Sequence, residues 1–284
     1  MFAKTKIAII GPGVMGTAIL SSLVSSGKFN KENICASGPE AGIVKSLQEK
    51  FGVTAFTENA KAVEGADVVL LTVKPQKFDL VARSIKGHLK PDTLIFSIIA
   101  GVTTDVISEK IGVKHVIRAM PNTPSRIGMG ISVWYQTPDV TPEQNELARD
   151  ILQNLGNEVH VDDESYLDMA TALSGTGPAY VFLFMEAMID AGVHMGFPRR
   201  IAEELVIQTI RGSTEFYIQN HEHPARLRND VTSPGGTSAE ALYYLEKAGF
   251  RTALSRAVWA AYERSIELGK GINRNSSSGN NEKS

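Results

Sequence analysis

Two glycine-rich stretches hold the residue types best suited to chemistry in this chain, and neither contains a histidine or cysteine. The first, Gly11-Pro12-Gly13-Val14-Met15-Gly16, follows an apolar run at residues 6–10 and leads into Thr17-Ala18-Ile19-Leu20. A G-x-G-x-x-G turn between strand and helix suits a dinucleotide pyrophosphate. Gly11 allows the tight turn, Gly13 admits the phosphates and Gly16 lets the helix approach the strand. The helix start adds free N–H groups and a dipole that favours negative charge. The second stretch, Ser233-Pro234-Gly235-Gly236-Thr237-Ser238, interrupts an otherwise helical region. Consecutive glycines permit backbone conformations in which neighbouring N–H groups converge on an anion, so a carboxylate fits there without an arginine. A plainer reading competes with this one: Thr237-Ser238-Ala239-Glu240 matches a capping box, with Thr237 as N-cap and Glu240 returning to its amide.

Other candidates lie at strand ends, where open α/β sheets bind ligands. The second strand ends at Ser37, a position where NAD-preferring sites carry Asp or Glu. A hydroxyl there, followed by Gly38, offers donors to a 2′-phosphate and favours NADPH, although no arginine follows. The Thr72-Val73-Lys74-Pro75 turn and Ala100-Gly101-Val102 occupy the same rim. His221, Glu222 and His223 invite a metal reading, but no further His or Cys cluster supports it, and no metal is expected. Arg199 and Arg200 open a helix and suit a solvated face or an interhelical ion pair.

These residues need a frame to hold them. Up to about residue 161, short β-branched runs at 6–10, 34–36, 67–73, 93–98 and 115–118 alternate with amphipathic stretches. Continuous apolar runs of this kind mark parallel strands covered on both faces. Runs at 130–135 and 158–161 flank a helix opening at Thr141-Pro142 and extend the sheet. From about residue 165 helical spacing takes over, at 180–195, 199–220, 238–247 and 251–269. The fold class is therefore α/β, an N-terminal Rossmann-type parallel-sheet domain over 1–162 followed by an all-helical domain over 163–272. A polar tail at 273–284 is expected to be disordered. Several helices are apolar around much of their circumference, as in Tyr180-Val181-Phe182-Leu183-Phe184-Met185, which calls for an oligomer interface.

The totals narrow the partners. With 29 Lys and Arg against 31 Asp and Glu in 284 residues, and no block of one sign, a nucleic-acid partner is not expected. A single cysteine, Cys35, and no leader pattern point to the cytoplasm. No apolar run of membrane-spanning length is apparent, so no membrane partner is expected.

Several segments in order, Arg118-Ala119-Met120-Pro121-Asn122-Thr123-Pro124, Leu173-Ser174-Gly175-Thr176-Gly177-Pro178-Ala179-Tyr180, Gly196-Phe197-Pro198-Arg199-Arg200, and His223-Pro224 with Val231 to Thr237, resemble the pyrroline-5-carboxylate reductase family. The resemblance spans essentially the whole chain up to the tail. It implies reduction of 1-pyrroline-5-carboxylate to L-proline, the last step of proline biosynthesis, with NADPH, or NADH as alternative donor. It also implies a homodimer or a higher oligomer of dimers whose active site lies near the dimer interface. By position, the cofactor would meet Gly11, Pro12, Gly13, Val14, Met15, Gly16, Thr17, Ser37, Asn59, Thr72, Val73, Lys74, Pro75, Ala100 and Gly101. Substrate would meet Ser233, Pro234, Gly235, Gly236, Thr237 and Ser238, with the Ser238 or Thr237 hydroxyl on the ring nitrogen. The family has threonine where this chain has Ser238, and an acidic residue at the position of Asn229, next to Asp230. The rivals are an imine reductase for another ring and a non-catalytic dinucleotide-binding regulator. A β-hydroxyacid dehydrogenase would place a lysine on the helix after Gly175-Thr176-Gly177-Pro178, and Ala179 to Glu186 contain none.

Overall fold

The computed structural model describes residues 2–270; the tail expected at 273–284 lies outside them. Eight strands, β1 (Ile7–Ile10), β2 (Ile34–Ser37), β3 (Thr54–Phe56), β4 (Val68–Leu71), β5 (Leu94–Ser97), β6 (Val116–Met120), β7 (Gly130–Gln136) and β8 (Gly156–His160), form one sheet in the order β3-β2-β1-β4-β5-β6-β7-β8. The helices of this part are α1 (Val14–Ser25), α2 (Ala41–Phe51), α3 (Asn59–Val63), α4 (Phe78–Ile85), α5 (Thr104–Ile111), α6 (Pro142–Gln153) and α7 (Tyr166–Ala170). Beyond a π turn at Thr171–Gly175 follow α8 (Gly177–His194), α9 (Arg199–Asn220), α10 (Pro224–Asp230), α11 (Thr237–Lys247) and α12 (Phe250–Gly269).

Alternating side chains seal both faces of the sheet. Ile7, Ile9, Val68, Leu70 and Phe96 pack with α1, α2 and α6 residues such as Leu20, Leu47 and Ile151. Ala8, Ile10, Val69, Leu71 and Ile95 face the opposite way, onto Val63, Phe78, Ile85 and Ile107 of α3, α4 and α5. Each fully buried Ile or Leu is worth about 1.5–3 kcal/mol, which is why these strands read as unbroken apolar runs. Strand order reverses between β2 and β4 around β1. This switch point opens a crevice above the carboxyl end of β1, where the Gly11–Gly16 turn lies.

Two features differ from the sequence expectation. β3 escaped the apolar-run criterion because it is three residues long with an exposed first residue. The sheet is not wholly parallel: β7 runs antiparallel to β6, and β8 parallel to β7. Nine residues join β6 to β7, too few for the crossover helix a parallel connection needs. The helix at Thr141 begins as expected, with a capping box between Thr141 and Gln144.

Contacts divide the chain into two compact units, one running to Thr176 and resuming at Ala260, the other spanning Gly177–Trp259. The strand signal fades near residue 162, but α7 and the end of α12 belong to the sheet unit, so the contact boundary falls later. In the second unit Ala202 and Val206 are buried, while Phe182, Leu183, Phe216, Ile218 and Tyr244 are all more than half exposed. Arg199 pairs with Asp190 at 2.7 Å, joining α9 to α8. The continuous helix Tyr166–His194 is, by length and composition alone, apolar enough to cross a membrane, which corrects the expectation that no such run exists. The helical spacing read from residue 180 begins earlier in the structure, where the chain passes through Gly175 to Pro178 as the end of a π turn and the start of α8.

Candidate functional site

The fingerprint turn behaves as its spacing demands. Gly11 has φ +78°, and a Cβ there would lie 2.2 Å from Val73 Cγ1. At Gly16 a Cβ would meet Thr72 Oγ1 at 2.3 Å, so α1 sits against β4 only because that side chain is missing. Around Gly13 the nearest atom to such a Cβ is 4.0 Å away, leaving room for a ligand rather than for protein. Thr17 Oγ1 donates to the Pro12 carbonyl at 3.0 Å and Thr72 Oγ1 to the Gly11 carbonyl at 2.7 Å, fixing the turn from both sides. Gly13 caps α1 without a side-chain bond, so the first N–H groups of the helix, from Val14 to Gly16, stay available to an anion.

Beside this turn lies a cavity of about 630 Å³. Gly11, Ser37, Asn59 and Val73, four of the expected cofactor residues, line it together with Lys77 and Ser84. Ser37 Oγ donates to Asn59 Oδ1 at 2.6 Å, and Asn59 Nδ2 donates to Ser84 Oγ at 2.9 Å. Lys74 is exposed and extended just ahead of the short turn Pro75–Lys77. Gly101, with φ +76°, answers first to packing: a Cβ there would lie 2.6 Å from the Gly269 backbone nitrogen in α12. Cys35 plays no part. Its thiol donates to the Ala62 carbonyl at 3.0 Å, and burial pushes its pKa up to about 11, so it holds its proton at neutral pH.

In the second unit, Gly236 N–H donates to the Ser233 carbonyl at 3.0 Å, with Pro234 and Gly235 between them and Gly235 at φ +70°. Proline second and a left-handed glycine third is the residue pattern of a type II turn. The turn delivers Gly236 in extended conformation, and Gly236, not Thr237, is the N-cap of α11. No side chain caps this helix, which overturns the Thr237 and Glu240 capping box. The turn supplies the extended cap residue one position early, so Thr237 falls in the first helical turn. The N–H groups of Thr237, Ser238 and Ala239 and the hydroxyls of Thr237 and Ser238 have no partner among the described residues. Upstream, His223 Nδ1 accepts from the Ala225 amide at 3.2 Å and caps α10. Asp230 lies 3.6 Å from Arg226, and Asn229 accepts weakly from Arg228. Among the described residues no group of three or more His, Cys, Asp or Glu gathers as a metal site would require.

One cluster had no role assigned from sequence. Arg118 is 1% exposed and reaches Glu164 at 3.0 Å and Asp168 at 3.3 Å. Glu164 also accepts from the Thr104 amide and hydroxyl at the start of α5, and Asp168 accepts from Ser265 of α12 at 2.7 Å. Through these two carboxylates the arginine ties the middle of β6 to α5, α7 and α12. A lone arginine inside the apolar strand Val116–Met120 is the signal that could have revealed it, because a buried cation demands carboxylates.

Residues 164–268 match the family model for pyrroline-5-carboxylate reductase dimerisation, and residues 6–101 that for NADP oxidoreductase coenzyme F420-dependent. The pyrroline-5-carboxylate reductase of Synechocystis is 42% identical over 93% of this chain and 98% of its own. That of Escherichia coli is 38% identical over 94% and 99%. The crystal structure of Plasmodium falciparum pyrroline carboxylate reductase with NADP bound superposes with a TM-score of 0.87 at 32% identity, covering 94% of this chain and 99% of that one. This chain belongs to the pyrroline-5-carboxylate reductase family. Within the family frame, the dimerisation region takes in the exposed apolar helices of the second unit, and the NADP region takes in the fingerprint turn and every residue lining the cavity beside it.

Proposed function

We propose that this chain reduces 1-pyrroline-5-carboxylate to L-proline with NADPH, as a homodimer or an oligomer of dimers, in the cytoplasm. Nucleic acid and membrane play no part in this reading. The observation that carries it is the uncapped start of α11, which leaves three amides and two hydroxyls of the loop from Ser233 without a partner among the described residues, in a chain of this family.

The division of roles follows from the chemistry. NADPH, when bound, supplies the hydride, with NADH as a weaker alternative. The imine nitrogen already bears its proton and becomes the amine of the product, so no general acid is needed at the carbon. The protein must bind the carboxylate, hydrogen-bond the nitrogen and orient the ring. Ser233, Pro234, Gly235 and Gly236 form the turn that holds the carboxylate against the amides of Thr237 and Ser238. The Ser238 hydroxyl, with Thr237 as its neighbour, bonds the ring nitrogen. Gly11 to Thr17 would receive the pyrophosphate, Ser37 and Asn59 would shape the adenosine ribose site, and Thr72 to Pro75 with Ala100 and Gly101 would supply the rim of the cofactor site.

Incubation of the purified protein with pyrroline-5-carboxylate and NADPH or NADH, followed by loss of reduced-nicotinamide absorbance, tests the assignment. Saturable oxidation of NADPH with L-proline as product is expected. No turnover with either cofactor would refute it.

A further inference from the structure

Ser37 lines the cavity beside the fingerprint turn but is wholly shielded from water, so its hydroxyl is not the group that first meets a ligand entering there. It instead donates to Asn59 Oδ1 at 2.6 Å. Asn59 is half-buried and lines the same cavity. Its Nδ2 donates to Ser84 Oγ at 2.9 Å, and Ser84 gives its own proton to the Val81 carbonyl at 2.7 Å.

The polarity of this chain is set at the Ser84 end. With its proton committed to a carbonyl, Ser84 can only accept, so the amide nitrogen of Asn59 must face it and the amide oxygen must face Ser37. One N–H of the amide then has no acceptor among the described residues. Without the Ser84 hydroxyl the remaining bond of the amide among the described residues is to the Ser37 hydroxyl, which can donate or accept and so lets the amide turn over, exchanging a donor for an acceptor. A phosphate dianion accepts hydrogen bonds and is repelled by a carbonyl oxygen. The surrounding charge favours an anion too. Lys77 lines the cavity, and Glu58, also on its lining, is paired with Lys61 at 2.7 Å.

We infer that Ser84 is a positioning residue for cofactor selection: through Asn59 it keeps a donor, not an acceptor, turned toward the 2′-phosphate that distinguishes NADPH from NADH. This rests on assigning the cavity to the adenosine ribose end of the cofactor. Fluorescence titration of the intact protein with NADPH and with NADH tests both layers without requiring turnover. Ser84→Ala should raise the Kd for NADPH about tenfold and that for NADH less than about twofold, the loss expected when one charge-assisted hydrogen bond is weakened. Ser84→Thr, which keeps the hydroxyl, should bind both as the parent does. Equal shifts for the two cofactors, or none, would overturn the role of Ser84. Asn59→Ala separates the layers. If it weakens NADPH binding while Ser84→Ala does not, the positioning role alone fails; if it leaves NADPH binding unchanged, the cavity assignment fails and the inference with it.

Discussion

Strands β1, β4, β5 and β6 are buried along their whole length, whereas helices of the second unit leave Phe182, Leu183, Phe216, Tyr243 and Trp259 more than half exposed. The sheet unit buries both faces of its sheet within one chain, and the residues proposed to hold the cofactor stand on that frame. The helical unit cannot do so, because helices apolar on several faces require a second layer on each of them. In a family with a dimerisation region at 164–268, that layer is another copy of the chain. The proposed tasks follow the same division: the sheet half for the dinucleotide, and the helical half, with its exposed apolar helices, for the substrate loop from Ser233 and for self-association.

The first expected effect lies in the helical half. Phe216→Glu puts a charge on its exposed apolar surface and should weaken association by about 3 kcal/mol or more. Sedimentation over a range of concentrations would show a shift toward monomer, while NADPH binding persists. A variant that stays associated would break the contrast between the units. Next comes Arg118→Met in the sheet half, which strands Glu164 and Asp168 without their cation and should cost about 3–5 kcal/mol of stability, read from denaturant unfolding. An unfolding curve unaltered by the change would mean that the cluster does not hold β6 to α7 and α12. Smaller still, Ser238→Ala should lower turnover about tenfold by removing the hydrogen bond proposed between its hydroxyl and the ring nitrogen. Ser238→Thr should retain activity, and an unchanged rate in the alanine variant would remove Ser238 from the site.

Much of the sheet half was legible in sequence because its signals are local. Continuous apolar runs at β1, β4 and β5 and the glycine spacing after β1 depend on neighbours a few residues away. The direction of β7, the three-residue β3 and the Arg118 cluster were not, since each depends on partners distant in the chain: Arg118 meets Glu164 across 46 positions and Ser265 lies 97 positions from Asp168. In the helical half, apolar helices were readable, and so was their need for an interface. The cap of α11 was not. Thr237 and Glu240 have the right types for a capping box, and only the folded turn shows that Gly236 takes the N-cap position.

That turn gives its two glycines different tasks. Gly235 is left-handed, while Gly236 has φ −82°, open to any residue, and a Cβ there would press on the Ser233 carbonyl at 3.1 Å. Gly236→Val should therefore cost the helix start only about 1 kcal/mol while filling the space where a substrate carboxylate would meet the amides. The decisive measurement is turnover and NADPH affinity of Gly236→Val side by side. The division of tasks predicts turnover abolished with the Kd for NADPH unchanged; retained turnover, or loss of NADPH binding together with turnover, would contradict it.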